Sequence, residues 1–186
     1  MIGGAVLAAV TTIDIGPALA GCSDVPAPEV NWRRCQLDGD SFPGIDVSRG
    51  MLRDASFKRS DLTGAILDGI EAQRAKFVSA VANEASFEDA NLVMADFTSA
   101  ELNGASFRGA NLLRARFFRA DLRNADLTGA QLRETDFLKA QLEGARWIDG
   151  KTICAEGSVG RCLPEAQTKD KAAALPVLET GALSGP

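Results

Sequence analysis

Residues 85–114 read ASFED ANLVM ADFTS AELNG ASFRG ANLLR, six pentapeptides that each begin with alanine and carry Phe or Leu in the third position. The same spacing runs from Trp32 to Trp147 without an insertion or deletion, giving 24 consecutive units over residues 30–149. The first position is alanine in 16 of these units and is often another small residue elsewhere. A repeat of this regularity decides the architecture before individual elements are considered.

The five-residue period excludes an amphipathic helix. At about 100° per residue, successive large apolar positions would fall roughly 140° apart around a helix axis and form no stripe. On an extended segment, residues two apart share a face, so the alanine and the following Leu or Phe point inward while the residue between them points outward. The last two residues of each unit must then turn a corner. Gly104, Gly109, and Asn, Asp or Ser in other units, suit such turns.

This Ala-(Asp/Asn)-Leu-x-x pattern resembles the pentapeptide-repeat family, and the resemblance covers about two thirds of the chain. It implies an all-β fold, a right-handed quadrilateral β-helix (a pentapeptide-repeat solenoid) with four units per coil and about six coils. At ~4.8 Å between paired strands the rod would be roughly 29 Å long. Two units depart from the pattern: Ile70-Glu71-Ala72 exchanges the large and small residues, and Ala80-Val81-Ala82, with two small ones, predicts a thin spot or a local bend.

The chain divides into three parts on this interpretation. Residues 1–20, mostly apolar and ending in Ala-Leu-Ala, are predicted to be a secretory signal peptide. The alternatives are a disordered N-terminus or a start codon assigned downstream of the true one. Residues 21–162 form the β-helix with disulfide-capped ends. Residues 163–186, with little periodicity, are predicted to be a disordered tail.

Four cysteines lie in pairs at the two ends of the repeat block: Cys22 with Cys35, and Cys154 with Cys162. A rigid rod between the pairs favours two local disulfides, as expected in an oxidising compartment. A zinc site is the rival, with spacings unlike those of a zinc knuckle. Leu19-Ala20-Gly21-Cys22 also resembles a bacterial lipoprotein cleavage box, in which case Cys22 would be acylated and the protein anchored to a membrane.

The flanks of the repeat also resemble exported members of the family. Residues 30–35 resemble their cysteine-bearing N-terminal coil, and residues 147–150 followed by 154–162 resemble their closing loop. The resemblance therefore implies a periplasmic or secreted location. Tryptophans and disulfides at the two ends would cover the core and the unpaired strand edges that an open solenoid exposes.

Composition disfavours most enzyme classes. Histidine and tyrosine are absent, which removes the usual imidazole base, the commonest metal ligand and any Ser-His or Cys-His nucleophile pair. We predict no catalytic residue, no cofactor and no metal site. With 20 basic and 25 acidic residues the net charge is -5, which gives no support to a basic groove for nucleic acid.

Stacking outward residues twenty apart predicts what each face carries. Lys76, Asp96, Arg116 and Asp136, and likewise Arg34, Asp54 and Arg74, alternate in sign and should pair across coils. Asn91, Asn111 and Gln131 should form a polar ladder. The apolar residues at outward positions are a candidate interface for a partner or a second copy: Val78, Val93, Leu113, Phe118 and Leu138, with Thr98 in the same file.

The favoured function is a non-catalytic, exported scaffold or protein–protein interaction module. The alternative comes from the family resemblance: some cytoplasmic members mimic duplex DNA and inhibit or protect a type II topoisomerase (gyrase). Residues 30–149 hold 16 basic and 18 acidic side chains, whereas a DNA mimic should be densely negative.

Overall fold

The computed structural model describes residues 21–164. In that range there is no helix, and no strand extends beyond a single bridging residue. Twenty isolated parallel bridges instead join residues 20 apart, beginning with Asn31–Met51 and ending with Asp126–Arg146. Four pentapeptides therefore complete one turn and each turn stacks in register on the next, which confirms the predicted β-helix.

Backbone hydrogen bonds tie each interior unit to the coils on both sides of it. In the unit around Phe57, the N–H of Phe57 donates to the carbonyl of Lys76 in the following coil at 2.7 Å. The N–H of Ser56 donates to the carbonyl of Cys35 in the preceding coil at 2.8 Å. Interior coils are therefore held from two directions, whereas an end coil has a neighbour on one side only.

The corners have a left-handed backbone. Every fifth residue from Glu29 to Gly144 has φ between 53° and 77°, and only eight of these 24 corners are glycine. The adjacent N–H closes the turn by donating to the carbonyl three residues back, as from Ala55 to Leu52 at 3.0 Å. A positive φ at the third residue is the pattern of a type II turn. For a residue other than glycine it costs about 1–2 kcal/mol, which the hydrogen bonds to the next coil offset.

The core is a column of rings and branched chains inside the coils, as the inward positions predict. Along one side, five phenylalanines 20 residues apart stack with ring centroids 4.8–5.3 Å apart: Phe57, Phe77, Phe97, Phe117 and Phe137. Phe87 and Phe107 stack in the same way on the opposite side and meet that column edge to face at 5.6–5.8 Å. Both arrangements are favourable aromatic geometries.

The two irregular units keep the register. Ile70 and Ala72 are both fully buried, so the exchange of large and small positions is accommodated. Ala80 and Ala82 are also fully buried, and Val81 continues the ladder of bridges to the coils before and after it. Phe77 and Phe87 lie on the two sides that flank the side formed by Ala80–Ala82. Their rings touch edge to face at 5.8 Å, next to the side that lacks a large residue.

Both predicted disulfides are present: Cys22–Cys35 and Cys154–Cys162. The second holds a closing loop that pairs antiparallel with two sides of the last coil, through the bridges Gln141–Val159 and Arg146–Ile153. On the other two sides, the N–H groups of Leu132 and Phe137 donate to no carbonyl within residues 21–164. Among the described residues, the loop therefore covers half of this end.

The predicted signal peptide, residues 1–20, lies outside the described residues, and so does nearly all of the predicted tail. Within residues 21–164 no helix is long and apolar enough to cross a membrane.

Candidate interaction surface

The candidate interface lies on two adjoining sides of the rod. Thr98, Phe118 and Leu138 occupy the same corner position in successive coils, because the bridges stack residues 20 apart. Val78 begins this file, and Val93 and Leu113 lie at the equivalent position of the preceding side. The structure thus places all the predicted interface residues on the outside. We call this set, together with Met94, the apolar strip.

The strip is unevenly exposed. Leu138 has 59% of its surface accessible, whereas the other predicted members are half-buried. Met94, at a left-handed corner beside Val93, is 45% exposed and extends the strip between its two files. Sequence reasoning missed Met94 because corner positions were read only for turn residues. A methionine where Gly, Asn or Asp is favoured was the available signal.

Two cations flank the centre of the strip. The guanidinium of Arg119 lies 5.0 Å from the centroid of the Phe118 ring, and the ammonium of Lys139 lies 5.9 Å from it. Both distances fall within the range of cation–π attraction. Neither cation has a carboxylate within 4.0 Å in the part of the chain that the structure describes. The strip therefore combines apolar area with uncompensated positive charge.

The predicted charge ladders are only partly formed. Arg74 forms a bidentate pair with Asp54, with both N···O distances at 2.7 Å, while Arg116 is 4.0 Å from Asp136. Asp96 pairs with neither basic neighbour and instead accepts the hydroxyl and the N–H of Thr98. Exposed pairs of this kind contribute about 0.2–1 kcal/mol each.

The predicted amide ladder is stacked in position without forming a chain of side-chain hydrogen bonds. Asn91, Asn111 and Gln131 are bridged through their backbones. The Asn91 amide, however, donates to Glu71, and the Asn111 side-chain oxygen accepts the N–H of Leu113. Local partners compete successfully because they lie within two residues or on the adjacent coil.

Several carboxylates accept hydrogen bonds that stabilise turns or link neighbouring coils. The Arg74 guanidinium holds the pKa of Asp54 below its ordinary value, and Arg123 does the same to the pKa of Asp121. In the closing loop, the hydroxyl and N–H of Thr152 together with the N–H of Lys151 lower the pKa of Asp149 to about 2. Such groups stay ionised, whereas a general acid at neutral pH needs a raised pKa.

Within residues 21–164 no group of His, Cys, Asp or Glu side chains is arranged to hold a metal ion.

The chain matches two protein-family models. A pentapeptide repeat region matches residues 50–127, and a model of pentapeptide repeats in 8 copies matches residues 110–146. Together they cover more than half of the chain. Comparison with curated protein sequences gave no match.

Several solved structures are similar. One is a trypsin-treated form of QnrB1, a plasmid-mediated fluoroquinolone resistance protein, at 22% identity over 60% of this chain and 67% of that chain, with a TM-score of 0.41. Another is a pentapeptide repeat protein from the thylakoid lumen of Arabidopsis thaliana, at 25% identity over 77% and 91%, with a TM-score of 0.42. A third is Rfr23 from the cyanobacterium Cyanothece 51142, at 26% identity over 64% and 88%, with a TM-score of 0.32.

Proposed function

The chain belongs to the pentapeptide-repeat family, and from that premise we propose that it is a non-catalytic, exported protein–protein interaction module built on a six-coil β-helix. The observation that carries this proposal is the apolar strip. It gathers outward apolar residues from successive coils on two adjoining sides of the rod. Partly exposed apolar area of this kind, ringed by polar groups, is typical of protein interfaces.

The chemistry of the strip specifies the kind of partner surface. Phe118 supplies an aromatic anchor, and Arg119 and Lys139 beside it supply positive charge. Aromatic and arginine side chains dominate binding energy at interfaces. A complementary surface would present apolar side chains bordered by Asp or Glu. It belongs either to a second copy of the chain or to another protein.

The double substitution F118S/L138S tests the proposal. We expect at least about a ten-fold loss of self-association in sedimentation velocity, or of partner cross-linking in extracts of the producing cell. The matched control is I66S/V81S, which removes two outward apolar residues from other sides of the rod. Unchanged association in F118S/L138S, or an equal loss in the control, would contradict the assignment of the strip.

Export is supported by the cysteines. All four are paired, and the Cys22–Cys35 bond leaves Cys22 without the free thiol that lipidation requires. Disulfides of this kind persist in the periplasm or outside the cell. Mass spectrometry of the mature N-terminus decides the matter. A start at Gly21 with two disulfides is expected, a diacylglyceryl Cys22 would indicate the anchored alternative, and an intact Met1 with reduced thiols would contradict export.

The alternative of a DNA mimic acting on gyrase is disfavoured by the distribution of charge. Arginines are interleaved with the carboxylates along the coils, and among residues 21–164 nine ion pairs within 4.0 Å join arginine to carboxylate, with a tenth between Lys58 and Asp38. A mimic of duplex DNA needs a surface of one sign. A gyrase supercoiling assay with ciprofloxacin should show no protection, and protection at stoichiometric protein would establish the alternative.

A further inference from the structure

A basic cleft lies in the first three coils of the rod, on the same side as Val93 and Leu113 of the apolar strip and directly before them. Its volume is about 610 Å³, and four arginines and one aspartate line it: Arg33, Arg34, Arg53, Asp54 and Arg74. These residues belong to the corner positions of one side in three successive coils. The bridges Asn31–Met51 and Met51–Glu71 fix their vertical order.

The cleft differs from the rest of the rod in its charge balance. Among the other arginines of residues 21–164, seven of ten lie within 4.0 Å of a carboxylate, as in Arg49 with Glu29 at 3.2 Å and Arg114 with Glu134 at 2.7 Å. Here Asp54 is the sole carboxylate, and Arg74 holds it in a bidentate pair.

The other three guanidinium groups of the cleft have no carboxylate within 4.0 Å among residues 21–164. Four positive charges against one negative charge leave a net +3. Mutual repulsion of these groups is relieved when an anion enters.

Two of the unmatched arginines are held in place by neutral groups. The Nε of Arg53 donates to the side-chain oxygen of Gln73 at 3.2 Å, and an Nη of Arg33 contacts the sulfur of Met51 at 2.8 Å. Each guanidinium carries five N–H donors, so these contacts leave most donors of both groups available. Part of the conformational cost of binding is therefore met before a ligand arrives.

We propose that this cleft binds a phosphate group. A guanidinium fork matches the oxygens of phosphate in pairs, and a dianion compensates a charge of +3 better than a single carboxylate does. The volume exceeds that of a phosphate alone, so the cleft also has room for the group that carries it. The carrier is either a small phosphomonoester or the headgroup of an anionic lipid, and the experiment separates these two sources.

Titration of the oxidised chain with phenyl phosphate, followed by NMR of the arginine Nε–H signals, tests the proposal. We expect saturable shifts of Arg33 and Arg53, and at least about ten-fold weaker binding in R33Q/R53Q. The matched control R49Q/R114Q removes the same charge from compensated arginines and should bind within about two-fold of the parent. D54N, which removes the one carboxylate, should bind about two- to five-fold more tightly.

A second arm uses vesicles of phosphatidylcholine with and without phosphatidic acid. Saturable binding of phenyl phosphate without vesicle binding assigns a small phosphomonoester, whereas cosedimentation that requires phosphatidic acid and is lost in R33Q/R53Q assigns the lipid headgroup. Failure of both probes at millimolar concentration would overturn the proposal. So would equal weakening in R33Q/R53Q and in R49Q/R114Q, since that would reflect net charge alone.

Discussion

The first coil, residues 30–49, and the central coils, residues 85–127, follow the same spacing but differ in how completely they are buried. In the centre, every Ala, Leu and Phe at an inward position has 1% or less of its surface exposed. In the first coil, Phe42 and Ile45 are half-buried, and Asp40 stands exposed at a position that is usually alanine. Trp32, Cys35 and Val47 of the same coil are as fully buried as the central residues, so burial is complete in the centre but uneven in a coil that has a neighbour on one side only.

The largest effect should come from charging the central core. Leu112 is fully buried, and L112D would place a carboxylate in the apolar core, out of contact with solvent. We expect a loss of about 4 kcal/mol or more in the free energy of unfolding, measured by urea denaturation. An outward control, L113D, should cost under about 1 kcal/mol. If L112D melts like the parent, the inward assignment is wrong.

Truncating one ring in each region measures the comparison directly. Phe107 stacks on Phe87 at 5.0 Å and is fully buried, so F107A should cost about 3–5 kcal/mol. Phe42 is half-buried beside Trp32 at 5.5 Å, so F42A should cost roughly half as much. Equal losses in thermal or urea unfolding would show that the first coil is as tightly packed as the centre.

The two disulfides should stabilise chiefly the ends of the rod, where a coil has a neighbour on one side only. C22S/C35S removes the link that fastens residues 21–29 to the first coil, and we expect it to cost about 2–3 kcal/mol. C154S/C162S frees the closing loop at the other end at a similar cost. Hydrogen exchange should quicken at the affected end while the central coils stay protected. Uniformly faster exchange along the rod would instead indicate one cooperative unit.

A smaller, pH-dependent effect is expected at the closing loop. The pKa of Asp149 is lowered to about 2 in the folded chain, from an ordinary value of 3.8. A depressed carboxyl pKa contributes stability above about pH 4, and this is lost as the pH falls toward 2. The melting temperature of D149N should therefore lie below that of the parent at pH 7 and converge with it near pH 2. A difference that is constant with pH would contradict this account.

The inward residues could be predicted from the sequence because a five-residue period leaves one arrangement that buries Ala and Phe together. The pairing of outward residues could not be predicted from the sequence. Each carboxylate can bond a group in its own unit or a side chain in either neighbouring coil. Asp96 bonds Thr98 and Asp54 bonds Arg74, so that within residues 21–164 neither Lys76 nor Arg34 has a carboxylate within 4.0 Å. These choices depend on rotamers and differ by less than about 1 kcal/mol. The basic cleft, which arises from them, could not be predicted from the sequence pattern.

Because bridges join residues 20 apart, the number of pentapeptides between two units determines which sides of the rod they occupy. An insertion of one pentapeptide would advance everything after it by a quarter turn, and only an insertion of four would restore every side to its original heading. The basic cleft now shares a side of the rod with Val93 and Leu113 of the apolar strip. Gaining or losing whole units between the two surfaces would turn one relative to the other in right-angled steps, without redesigning either surface.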